Sequence, residues 1–281
     1  MTVDFERIAT NGIRLNVACA GPSDGPLIVL LHGFPEFWYS WRRQIEPLAV
    51  AGFRVLAPDM RGYNLSDKPR GLAAYRIDRV AADIVGLIDH AGREKAVVVG
   101  HDWGGAVAWS VAMRHADRVE RLVVLNCGHP AAMIARLRTD SRQRRKSWYI
   151  FLFQVPWLPE TYARAKGFRS LVNALRATSK PGTFSDVDIS RYRQAWSQPG
   201  AMTAMINYYR ATLQRRAPHV SPRIRVPTRI IWGTADAFLL RELAGDSLAF
   251  CDRGTVTYLD ASHWVQHELA DEVTRLIAAP D

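Results

Sequence analysis

The residues with the clearest chemical meaning are Val97-Val98-Val99-Gly100-His101-Asp102-Trp103-Gly104-Gly105. An apolar run leads straight into Gly-x-Asp-x-Gly-Gly, the pattern of a strand, a sharp turn and a helix that forms a nucleophile elbow. Such a turn holds its central side chain above the sheet. The neighbours two before and two and three after must be small, because strand and helix cross closely there. Gly100, Gly104 and Gly105 meet that need. An Asp at the centre narrows the chemistry. A serine would need a base to remove its proton, whereas a carboxylate is already ionised at about pH 7. It gains little by attacking an ester or an amide. It does well at a saturated carbon bearing a strained or good leaving group, which means an epoxide or a halide. The product is an alkyl ester on Asp102.

That ester must then be hydrolysed, which needs a base for water and a third group to orient the base. The chain order expected is nucleophile, acid, histidine. His263, in Asp260-Ala261-Ser262-His263-Trp264, stands in the right place for the base. Asp236, in Trp232-Gly233-Thr234-Ala235-Asp236, is the acid. The alternative position for it, after the preceding strand, reads Leu125-Asn126-Cys127-Gly128 and has no carboxylate. His267 is expected on the following helix, facing solvent. The hydrolysis step also develops an oxyanion, and losing one backbone donor to it costs roughly 3 kcal/mol. The N–H groups of Trp103 and of Phe34, in His32-Gly33-Phe34-Pro35-Glu36, are the expected donors. A cis peptide before Pro35 is expected to turn the Phe34 N–H inward. Glu36 either helps place the hydrolytic water or forms a loop salt bridge.

These groups need a scaffold, and the rest of the chain describes one. Residues 5–8 and 13–18 read as strands joined by Asn11-Gly12, a hairpin turn signal. Runs at 27–31, 55–57, 96–99 and 122–125 are continuously apolar, as strands buried on both faces of a parallel sheet are. Helical stretches lie between them at 38–51, 77–91 and after Trp103. The alternation stops near Pro130, gives way to about ninety helical residues, and resumes with strands at 228–232 and 255–259. A helix around 239–249 separates these two strands, and a last one starts near Val265. This is an α/β core, residues 1–129 and 220–281, interrupted by a helical cap, residues 130–219.

Composition is that of a globular protein: 281 residues, 48% hydrophobic and 23% charged. No apolar run approaches the roughly 18–20 residues a membrane span needs. No secretory signal is visible, and three scattered cysteines fit neither a disulfide framework nor a zinc site, so a reduced, cytoplasmic protein is expected. The net charge of +10 is uneven: residues 130–219 hold 16 Lys/Arg against 4 Asp/Glu, the remainder 21 against 23. The densest piece is 136–146, RLRTDSRQRRK. It reads as a solvated helical face, with a nucleic-acid or anionic-membrane surface as the sharper alternative. No nucleic-acid-binding motif accompanies it.

The blocks His32-Gly33-Phe34-Pro35-Glu36, Trp38-Tyr39-Ser40-Trp41-Arg42, Asp59-Met60-Arg61-Gly62-Tyr63 and Gly100-His101-Asp102-Trp103-Gly104-Gly105 together resemble the epoxide hydrolases of the α/β-hydrolase fold. The resemblance covers nearly the whole chain. It implies a mostly parallel eight-stranded sheet with helices on both faces, a helical cap inserted before the last two strands, and no cofactor or metal. It also implies a small-molecule epoxide as substrate, with water added to give a vicinal diol. Two cap tyrosines are implied as acids on the epoxide oxygen. A phenol suits this role, since it donates a proton yet stays neutral at about pH 7. Tyr149, in Trp148-Tyr149-Ile150-Phe151-Leu152-Phe153-Gln154, matches the first. Tyr209, in Asn207-Tyr208-Tyr209-Arg210, matches the second, with Tyr208 where the family has Trp and so a rival for the role. Tyr162, Tyr192 and Trp196 have no assigned part.

A dehalogenase acting on haloalkanes or haloacids would use the same Asp, acid and His. Haloalkane enzymes resembling this chain usually have Asn after His-Gly, where Phe34 stands, and the paired tyrosines favour epoxides. An idle receptor on the same fold is the third reading, and the intact Asp102-Asp236-His263 set argues against it. The sequence leaves a homodimer open and does not indicate which epoxide is used.

Overall fold

A computed structural model describes residues 3–212 and 220–280, so the last seven residues of the predicted cap, 213–219, lie outside it. Strands β1 (Asp4–Thr10) and β2 (Ile13–Ala20) form the expected hairpin. Asn11 and Gly12 at its turn have φ of 44° and 78°, values that Asn and Gly tolerate best. There follow β3 (Leu27–Leu31), α1 (Arg42–Val50), β4 (Arg54–Pro58), α2 (Ile77–His90), β5 (Ala96–His101), α3 (Trp103–Arg114) and β6 (Val119–Leu125). The helices that come next among the described residues are α4 (Pro130–Thr139), α5 (Ser141–Lys146), α6 (Trp148–Leu152), α7 (Leu158–Ala177, interrupted by non-helical backbone from Ala165 to Phe168), α8 (Asp186–Trp196) and α9 (Ala201–Ala211). The chain then returns to the sheet with β7 (Thr228–Gly233), α10 (Glu242–Leu248), β8 (Gly254–Leu259), α11 (Val265–Glu268) and α12 (Ala270–Ala278).

The eight strands form one sheet in the order β1-β2-β4-β3-β5-β6-β7-β8. The β1–β2 and β2–β4 pairs are antiparallel and the rest are parallel. The continuous apolar runs are explained by alternation on two covered faces. Ile28, Leu30, Val97 and Val99 pack with Ile45 and Leu48 of α1 and Val273 and Ile277 of α12. Val29, Val98 and Val124 point the other way, into Ile84 and Leu87 of α2 and Val107 and Val111 of α3. Full burial of each such side chain contributes about 1.5–3 kcal/mol.

Two predicted helices are trimmed for local reasons. The one expected at 38–51 is a 3₁₀ turn, Trp38–Trp41, followed by α1. The one expected from 239 starts at Glu242; ahead of it the N–H groups of Phe238 and Leu239 donate to Asp236 Oδ1 and that of Leu240 to Gln143 Oε1.

Helices α4–α9 cross the carboxyl ends of the central strands and are anchored there. Tyr192 of α8 donates to Glu36 Oε1 at 2.9 Å, and Trp196 Nε1 donates to the Pro35 carbonyl at 2.6 Å. The basic segment 136–146 departs from a purely solvated face. Arg136 pairs with Asp246, Arg142 with Asp140 and Glu242, and Lys146 Nζ donates to the Asp236 carbonyl at 2.7 Å. Gln143 between them is fully buried.

Candidate active site

Asp102 sits between β5 and α3 with φ of 50° and ψ of −118°, a strained conformation for a side chain with a Cβ. The glycines around it are required by close approach. A Cβ on Gly100 would lie 2.2 Å from the Gly104 carbonyl oxygen, and one on Gly104 would lie 2.1 Å from that of Leu31. Gly33 is needed as well, for its Cβ would fall 2.5 Å from that of Asp102. The turn therefore lifts the Asp102 carboxylate into a cavity of about 570 Å³.

The two carboxylate oxygens are differently placed. Oδ1 accepts the Phe34 N–H at 2.8 Å, and Oδ2 lies 3.7 Å from His263 Nε2. The Phe34–Pro35 peptide is cis, as expected. Trp103 is the first residue of α3, so its N–H is among those a helix leaves without an internal partner.

On its other side His263 Nδ1 lies 2.7 Å from Asp236 Oδ2. A carboxylate can only accept, so Nδ1 carries a hydrogen, and in the neutral imidazole Nε2 presents its lone pair toward Asp102. Asp236 is buried, which raises its pKa, but the charge and hydrogen bond of His263 and the donors of Asn126 and Phe238 bring it below the usual carboxylate value. Burial likewise lowers the His263 pKa, and the Asp236 and Asp102 carboxylates more than reverse this, so the net shift is upward.

Tyr149 and Tyr209 both line the cavity with Asp102 and His263, their ring centroids 6.0 Å apart. Burial, then the charge of Asp102, pushes both phenols well above their ordinary pKa, so they stay protonated. Tyr208 faces elsewhere: its hydroxyl donates to the Arg61 carbonyl at 2.8 Å, and it does not line the cavity. Phe34, Phe153, Leu171 and Phe238 supply apolar wall.

His267 corrects the expectation of a surface residue. It is buried, with Nε2 2.7 Å from Glu36 Oε1 and Nδ1 3.0 Å from Arg42 Nη1. The short helix α11 packs inward beside the Trp38–Trp41 turn instead of along solvent. Glu36 is buried too and is not part of the cavity wall. Besides His267 and Tyr192 it meets His101 Nδ1 at 3.1 Å, and His101 Nε2 donates to the His263 carbonyl at 2.8 Å. Burial would raise the Glu36 pKa, but His267 and His101 hold the carboxyl well below its ordinary value.

Asn126 stands at the alternative position for the acid, after β6, and has a part that the sequence does not announce. Its Nδ2 donates to Asp236 Oδ2 at 2.7 Å, and its Oδ1 accepts the Gly233 N–H at 2.9 Å. Its place at the end of β6 was the available signal. Among the described residues no group of three or more His, Cys, Asp or Glu is arranged to hold a metal ion.

A doubly covered sheet with a carboxylate on its elbow, a histidine and acid behind it and helices above defines an α/β hydrolase with an aspartate in the nucleophile position. A family model for the alpha/beta hydrolase fold matches residues 26–269. The AB hydrolase superfamily protein YfhM of Bacillus subtilis is 49% identical over 276 residues, 98% of this chain and 96% of that one. Epoxide hydrolase 1 of Caenorhabditis elegans is 39% identical over 280 residues, 98% of this chain and 69% of that one. The crystal structure of a Bacillus megaterium epoxide hydrolase in complex with an inhibitor superposes with a TM-score of 0.88 at 32% identity, covering 97% of this chain and 98% of that one. The chain belongs to the epoxide hydrolases of the α/β-hydrolase fold family.

Proposed function

We propose that this protein adds water to an epoxide to give a vicinal diol, through a covalent ester on Asp102. The observation that carries the reading is the shared cavity: Asp102 and His263 on its floor, and two neutral phenols, Tyr149 and Tyr209, in its wall. Asp102 Oδ2 attacks one epoxide carbon, because Oδ1 is engaged by the Phe34 N–H. As the C–O bond of the ring breaks, Tyr149 or Tyr209 gives its proton to the departing oxygen.

In the second step His263 Nε2 takes a proton from water, and the resulting hydroxide attacks Asp102 Cγ. Asp236 holds the imidazole in the required tautomer and stabilises the cation that forms. Negative charge gathers on Oδ1, which already rests on the Phe34 N–H, with the Trp103 N–H as second donor. Collapse of this intermediate breaks the bond from Cγ to the alkyl oxygen, which takes the proton held by His263 and leaves in the diol, while the proton on the new Asp102 carboxyl passes through solvent to the tyrosinate and restores both groups. Helices α4–α9 act as the cap over the site.

A single turnover of styrene oxide in oxygen-labelled water tests this. Label is expected in the Asp102 carboxylate, while the first diol carries the enzyme's oxygen. Label in the first diol with none in the Asp102 peptide would mean direct attack by water and would overturn the ester route.

A further inference from the structure

Residues 148–162 leave six large apolar side chains exposed: Trp148, Phe151, Val155, Trp157, Leu158 and Tyr162. The exposure is large, at 62% for Trp148, 67% for Phe151 and 81% for Trp157. Trp148 and Tyr162 line the cavity together with Arg145, so the patch adjoins it. Phe151 stands one turn from Trp148 on α6, and Leu158 one turn from Tyr162 on α7, so each pair shares a helix face. Scattered exposed apolar groups are ordinary, but a contiguous patch with a polar rim marks a contact surface.

The rim here is cationic. Along the chain Arg138, Arg144 and Arg145 precede the patch and Arg164, Lys166 and Arg169 follow it. All six are exposed, and none is paired with a carboxylate among the described residues. The one acid between residues 141 and 163, Glu160, is turned inward onto Arg210. Tryptophan, tyrosine and apolar groups ringed by arginine and lysine suit the headgroup region of an anionic bilayer. A second copy of the chain fits less well, because a two-fold contact through this face would set the same cations against each other. A duplex nucleic acid would meet the cations but offer nothing to bury Phe151, Val155 or Leu158. Among the described residues no helix is long and apolar enough to cross a membrane, so the contact is with the bilayer surface.

We infer that the face formed by α5, α6 and the start of α7 docks on an anionic lipid bilayer, with the mouth of the cavity turned toward it. An apolar epoxide concentrated in the bilayer then reaches the site directly. That consequence rests on the hydrolase reading, whereas the docking itself does not.

The test is co-sedimentation of the full chain with phosphatidylcholine vesicles, with and without phosphatidylglycerol. Binding is expected only with phosphatidylglycerol, weakening as salt rises. Phe151→Ser with Trp157→Ser, and separately Arg164→Glu with Lys166→Glu and Arg169→Glu, should each lower the vesicle partition coefficient about tenfold or more. None of these five side chains lines the cavity. Hydrolysis of a water-soluble epoxide should therefore be unchanged, which shows the variants are folded. Equal binding to both vesicle types, or none to either, overturns the inference. So does a dimer in light scattering that Phe151→Ser/Trp157→Ser breaks without changing vesicle binding, or DNA binding lost in the charge variant while vesicle binding persists.

Discussion

Asn126 and His263 hold the same oxygen of Asp236, each at 2.7 Å. Asn126 is fixed in turn by the Gly233 N–H and carbonyl at the end of β7, so it clamps the acid loop to the sheet. Removing one donor to a buried carboxylate costs about 1–3 kcal/mol. Asn126→Ala is therefore expected to raise the Asp236 pKa and to slow ester hydrolysis about tenfold or more. Ester formation, which does not need the imidazole, should change little. Rapid-quench mass spectrometry separates the two steps, and an equal loss in both would show that Asn126 matters only for folding.

Tyr149 and Tyr209 face one cavity, so one phenol can stand in for the other. Tyr149→Phe or Tyr209→Phe alone should slow ring opening about ten- to a hundredfold, and both together should abolish it. Tyr208→Phe removes only a hydrogen bond to the Arg61 carbonyl and should leave ring opening near normal while lowering the melting temperature. Stopped-flow quenching of tryptophan fluorescence would follow the alkylation step, and a larger loss from Tyr208→Phe than from Tyr209→Phe would reverse the assignment.

The Asp102 charge is one cause of the raised His263 pKa, and ester formation removes that charge. His263 must be neutral to accept a proton from water, so alkylation itself prepares the base. The acid limb of kcat, which reports the alkylated protein, should lie at lower pH than the His263 titration of the free protein followed by NMR. His263→Gln should form the ester and hydrolyse it at least about a hundredfold more slowly. An acid limb at or above the free-protein value would remove Asp102 from the account of the base.

What the sequence made legible is what local sterics or contiguous burial dictate. The elbow was readable because Gly100 and Gly104 answer contacts made within a few residues and by the adjacent strand. The central strands were readable because both faces are covered. His267 was misplaced because its partner, Glu36, is 231 positions away and no local pattern announces it. Lys146 and Gln143 look like members of a charged helix, yet they reach the acid loop across about ninety residues, at the Asp236 and Phe238 carbonyls. Just before α10 the Leu240 N–H likewise goes to Gln143 Oε1, 97 positions away.

Two further histidines weaken the fold in acid, an effect that buried Asp59, raised to about 6, opposes. His32 Nδ1 donates to the Gly33 carbonyl at 2.9 Å, and its Nε2 accepts the Met60 N–H at 3.0 Å. A proton on Nε2 would face another N–H. His129 Nδ1 similarly accepts the Ala131 N–H at 3.2 Å. Burial lowers both pKa values to about 4. The unfolded chain binds these protons near its ordinary value of about 6.5, so between the two values it holds more protons than the folded one. Stability is therefore fully present above about pH 6.5 and falls as pH drops toward about 4, by up to about 3 kcal/mol for each histidine. His263, with a raised pKa, has the opposite sign, and its contribution is lost as pH rises through its folded value. Urea unfolding at about pH 7.5 and pH 4.5 should show this acid loss. His32→Asn should be less stable at the higher pH yet show a shallower fall on acidification. An equal fall in the native protein and in His32→Asn would mean that His32 accepts a proton without opening the loop it holds, since Asp59 contributes alike to both.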